Sequence, residues 1–106
     1  MSLAMFSFVE HQFLHYFSGQ YEFMRETAHK LLGQLHGCEV VSDTDRPLVV
    51  VHCEGLPLAL VELVPEQSAL LLQTALGTER WPLSCLGQQA LYSGLLRVTE
   101  RLRELL

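Results

Sequence analysis

The last quarter of the chain, Trp81 to Leu106, places Leu91, Leu95, Val98, Leu102 and Leu105 at intervals of four, three, four and three. That rhythm belongs to a helix that lays one narrow apolar seam on a neighbour. Arg97, Glu100, Arg101, Arg103 and Glu104 fall on the other face. A helix of this kind cannot stand alone, so the residues before it must supply the surface that it covers, or a partner must. Two readings follow for the seam. It packs on the chain's own sheet, or Leu91, Leu95, Val98, Leu102 and Leu105 form a partner or dimer surface. Leu96 and Leu106, off the seam, widen the apolar area and favour a second contact.

Upstream, the period changes twice. Residues 1–17 can form a first helix, with Phe6, Val9, Phe13 and Phe17 on one face, and Ser18-Gly19-Gln20 breaks it. This stretch reads as an N-terminal helical extension of a single α+β domain spanning 1–106. Residues 20–36 form a second helix, with Met24, Ala28, Leu31 and Leu35 along one face and Leu32 beside them. Gly37 suits the position just past its end.

The pattern then becomes extended. Cys38–Val41 is a short strand, Ser42–Pro47 a turn cluster, and Leu48–Glu54 a strongly β-branched strand. Gly55-Leu56-Pro57 turns the chain, Leu58–Val64 is a third strand, and Pro65–Ser68 turns it again. Ala69–Leu76 is a fourth strand, although ALLLQTAL suits a helix equally by propensity. Gly77–Arg80 leads into the closing helix, with Pro82 in its first turn. The expected fold is α+β: N-terminal helices, an antiparallel meander of three to four strands and a C-terminal amphipathic helix. Leu48–Glu54 is apolar on both alternating sets, which predicts a central strand covered on both sides.

Composition narrows the function. Of 106 residues, 49% are hydrophobic and only 18% charged, fewer charges than the usual quarter of such a domain. Some apolar surface is therefore expected to be covered by another chain. The net charge is −5 and the seven Lys and Arg are scattered, so neither nucleic acid nor an anionic membrane is an expected partner. No apolar run is long enough for a membrane-spanning helix, and the N-terminus lacks the basic stretch of a signal peptide. Three cysteines without a CxxC pair point to a reducing cytoplasm.

No catalytic signature is present. Ser84 and Ser93 lie in no GxSxG elbow, and Gly33, Gly37 and Gly55 make no phosphate loop. His11 and His15 share a helical face but have no Glu between them and no third ligand, so two polar residues on a wet face is the better reading. Cys38 and Cys53 are the most interesting pair. If residues 42–47 close a symmetric hairpin, opposing residue numbers sum to 91 and these two face each other, close to disulfide reach. Core cysteines, a redox pair, and a zinc cluster with His36 and His52 are the three readings, in that order of preference. Adjacent strand residues point to opposite faces, which disfavours zinc. No metal, cofactor or catalytic residue is expected.

The stretch YEFMRETAHKLLGQLHG entering CEVV, PLVVVHCEG followed by LPLALVELV, and LLRVTERLRELL at the end together resemble the effector-binding chaperones of bacterial type III secretion systems. The resemblance is one of profile and spans residues 20–106. It implies a homodimer that keeps a partner segment unfolded and secretion-ready in an apolar groove, without nucleotide or metal. Where that family carries a helix between its third and fourth strands, this chain has Pro65-Glu66-Gln67-Ser68. Two other readings stand beside it. One is an acidic adaptor or immunity-type protein that binds one basic partner. The other is a small ligand-binding or enzymatic domain using the His and Cys residues.

Overall fold

The structure, a computed structural model, describes residues 18–43 and 46–106. The first helix expected over 1–17, with His11 and His15, lies outside the described residues. The elements run α1 (Ser18–Leu32), β1 (Cys38–Ser42), β2 (Leu48–Cys53), β3 (Leu56–Val64), a 3-10 turn (Pro65–Gln67), β4 (Ala69–Thr74), β5 (Gly77–Pro82) and α2 (Gln88–Leu105). All five strands pair antiparallel in chain order, so the α+β meander is present with one strand more than expected.

Helix α1 forms where Met24, Ala28, Leu31 and Leu32 recur at helical spacing, and all four are buried, as is Leu35 just beyond it. The helix ends at Leu32, short of the expected 36. The chain tightens there through Leu35 N–H to Leu32 O, 3.1 Å, and Gly37 adopts φ 75°, a left-handed value that favours glycine. Between β2 and β3 the two-residue loop is Glu54-Gly55, both with positive φ (54° and 82°). Positive φ at both central residues is the geometry that suits the twist of a tight hairpin. Leu56 and Pro57, expected in the turn, instead begin β3. Pro57 has no N–H to give the ladder, and the register slips there: Val51 faces Ala59 while His52 faces Pro57.

The expectation of a helix beginning near Pro82 is corrected. Residues Gly77–Pro82 are the fifth strand, with Leu70 facing Trp81 and Leu72 facing Glu79. Pro82 closes that strand, and α2 starts six residues later at Gln88.

Register assigns the faces. Val40, Val49, Val51, Ala59, Val61, Leu63, Leu70 and Leu72 share one face and form a single core with Met24, Ala28 and Leu32 of α1 and Leu91, Leu95, Val98 and Leu102 of α2. Both helices therefore lie on the same side of the sheet, α1 over β1 and β2, α2 over β4 and β5. At one point α2 comes very close: a Cβ on Gly94 would stand 2.6 Å from Leu83 Cδ2 and 3.1 Å from Leu70 Cδ1. Among the described residues no helix is long and apolar enough to cross a membrane.

Candidate protein-binding face

The seam of α2 lies inside the domain. Leu91, Leu95, Val98 and Leu102 are 0% exposed, and Leu105 is half-buried against the same core. This corrects the expectation of a partner or dimer surface at these residues. Periodicity shows which side chains share a face, and the sheet of this chain is what they meet. Each fully buried leucine contributes on the order of 1.5–3 kcal/mol by leaving water.

A second apolar area lies outside the core. Cross-strand partners share a face, so the side of the sheet away from the helices carries Val41, Val50 and Leu60 in one line across β1, β2 and β3. Leu71 of β4 lies diagonal to Leu60, whose direct partner is Gln73. Val41 is 47% exposed, while Val50, Leu60 and Leu71 are half-buried, and none of the four belongs to the core. At one end this face is closed, with Leu48, Val64 and Ala69 buried outside the core cluster. Its polar members are Glu39 opposite His52, Glu62 beside the row, and Thr78 and Arg80 on β5. Arg46 Nη2 pairs with Glu62 Oε2 at 3.2 Å, and Arg80 donates to Gln67 O. Among the described residues no helix packs on this side. Leu48–Glu54 is expected from its sequence to be covered on both sides: β2 puts Val49 and Val51 into the core, while on the second face Leu48 is buried and Val50 half-buried.

A smaller apolar ridge lies on the outer side of α2. Tyr92 and Leu96, one turn apart, are 44% and 38% exposed, and Leu106 beyond the helix is 55% exposed. Leu96 and Leu106 thus face outward, off the seam, as their spacing predicts.

The structure sets Cys38 directly opposite Cys53, the register that the 42–47 turn implied. Their side chains lie on the core side of the sheet, where Cys38 packs against the core. Burial, then a hydrogen bond with Cys53, then the Cys53 charge push the Cys38 thiol above its ordinary range. His52 faces Glu39 on the opposite side, so it shares no site with the two cysteines. Among the described residues no three His, Cys, Asp or Glu side chains gather as a metal site. Cys85 is exposed and accepts from Gly87 N–H.

A shallow groove beside α1 is lined by Glu22, Arg25, Glu26, His29 and Ser42. It is crossed by a hydrogen bond between His29 Nε2 and Ser42 Oγ, and Arg25 Nη1 donates to Asp43 O at 3.2 Å. These bonds fasten α1 to the end of β1. A second groove, at the start of α2, contains Ser84, Cys85, Ser93 and Arg97.

No family model, no curated protein and no solved structure matches this chain.

Proposed function

We propose that this chain is a small non-catalytic, chaperone-like domain that holds an apolar segment of another protein against the second face of its sheet, where no described helix packs. The observation that carries the reading is the row Val41, Val50, Leu60 and Leu71, apolar across four strands and outside the chain's own core. A sheet face on which no described helix packs can receive an amphipathic segment. The net charge of −5, with Glu39 and Glu62 bordering the row, selects a segment whose flanks are basic. The resemblance to type III secretion chaperones points to the same activity, in the cytoplasm. In this chain the 3-10 turn Pro65–Gln67 occupies the place of that family's third-to-fourth-strand helix.

A homodimer is a second element of the proposal, favoured by Tyr92 and Leu96 standing together on the outside of α2. It places self-association and partner capture on different surfaces.

Co-expression of the tagged chain with the products of its neighbouring genes tests the reading. One of them is expected to co-purify in stoichiometric amount and to stay bound in high salt, because the contact is mainly apolar. A complex that falls apart as salt rises would favour the purely acidic adaptor instead. If no neighbour co-purifies, the chaperone-like reading fails.

A further inference from the structure

We propose that Cys38 and Cys53 are a reversible disulfide site that staples the edge strand β1 to β2. The argument is one of register and stands apart from the protein-binding face. Asp43 N–H donates to Leu48 O and Glu54 N–H to Gly37 O, so 43–48 and 37–54 are hydrogen-bonded pairs of the β1–β2 ladder. Hydrogen-bonded and non-hydrogen-bonded pairs alternate along an antiparallel ladder. Cys38–Cys53 therefore falls on a non-hydrogen-bonded position. The Cys38 N–H confirms this, since it turns away from β2 and donates to Leu35 O at 3.1 Å. Opposing α-carbons at such positions are about 4.5 Å apart, within the range of about 4.4–6.8 Å that disulfides span. Both side chains lie on the core side of the sheet, so the two thiols face each other across the ladder. Both cysteines are only half-buried, so a small reagent has access.

The oxidant is a low-molecular-weight disulfide. The Cys53 thiolate attacks one of its sulfurs, forming a mixed disulfide and releasing one small thiolate. The Cys38 thiolate then attacks Cys53 Sγ, forms the Cys38–Cys53 bond and expels the second small thiolate. Two protein thiols are oxidised by two electrons, the small disulfide is reduced to two thiols, and both protons pass to the released thiolates. The consequence is local. Among the described residues β1 is an edge strand, held to the sheet on one side only, and the cross-link would close the whole 38–53 hairpin at its open end. A hairpin closed in this way loses freedom in the unfolded chain and resists fraying in the folded one.

The test uses the full chain with Cys85→Ser, which removes the exposed third thiol. The protein is equilibrated in glutathione buffers of increasing oxidised fraction, quenched with a thiol-alkylating reagent and mapped by peptide mass spectrometry. The expected result is a monomolecular 38–53 cross-link that forms without a lasting glutathione adduct. It should raise the melting temperature by about 5 °C or more and reverse on reduction. Cys38→Ser and Cys53→Ser, each in the same background, should lose the transition, and Cys38→Ser should stop at the Cys53 glutathione adduct. The proposal is overturned if both thiols still alkylate in the most oxidising buffer, if only glutathione adducts or cross-links between molecules appear, or if the cross-link forms and lowers the melting temperature.

Discussion

Arg101 Nε donates to both carboxylate oxygens of Glu79, at 3.2 Å to each, and so ties the closing helix to the last strand. The pair spans 22 positions in sequence and sits at the sheet edge, about one-third exposed on both sides. Arg101 also reaches Glu104, 3.4 Å away on its own helix. Contacts this open to water are screened by salt. Arg101→Met is expected to lower the melting temperature slightly in dilute buffer and not at all in concentrated salt. Thermal scans at two ionic strengths check this; an effect that persists at high salt would mean the packing of the side-chain stem dominates.

Leu95 gives the opposite case. It is fully enclosed between α2 and the sheet, so Leu95→Ala removes buried methyls and leaves a cavity. The expected cost is about 2–5 kcal/mol, independent of salt, with no change in molar mass. Chemical denaturation and light scattering on the same sample provide both readouts. A stable variant with altered self-association would mean that the seam faces a partner.

Much of this fold is legible in the sequence. Met24, Ala28 and Leu31 announce their helical face, and the turn at 42–47 pairs Cys38 with Cys53. Two features are not legible, for physical reasons. Gly77-Thr78-Glu79-Arg80 reads as the lead into the closing helix, because it carries a glycine and two charges and no apolar alternation. As a strand it puts Glu79 on the helix side, acceptable only because Arg101 arrives there from far along the chain. The seam of α2 is visible as a stripe, but a stripe is the same whether it meets its own sheet or another molecule. The candidate binding face is half visible: the double apolarity of β2 marks it, whereas the contribution of Leu71 depends on the register of β4.

Trp81 packs against the core with its indole N–H buried and, among the described residues, without a hydrogen-bond partner. An unsatisfied buried donor already costs stability. Trp81→Phe removes it while keeping most of the ring, so the net change should stay within about 1 kcal/mol in either direction. Urea unfolding measures it. A loss well beyond that would show that the indole nitrogen is satisfied after all.

Tyr21 makes stability depend on alkaline pH. Burial first, then the charges of Glu66 and Glu62, push its hydroxyl above the usual tyrosine range. The fold therefore prefers the neutral phenol. This contribution is fully present below the unfolded value of about pH 10 and is lost as pH rises through the folded value. Tyr21→Phe should flatten the fall in melting temperature above pH 10 while leaving the neutral-pH profile almost unchanged in shape. Identical alkaline profiles for the two proteins would contradict the assignment.

The central claim is that the face carrying Val41, Val50, Leu60 and Leu71 takes the partner. The most direct measurement is the affinity of the co-purified partner's binding segment, by fluorescence anisotropy, for the native chain, Leu60→Lys and Leu96→Lys. Leu60 lies in the middle of the sheet row and Leu96 on the outer ridge of α2. The account predicts that Leu60→Lys weakens binding by about tenfold or more, the effect expected of a central anchor, while Leu96→Lys stays within about twofold. Equal binding by the native chain and Leu60→Lys, or a loss confined to Leu96→Lys, would contradict it.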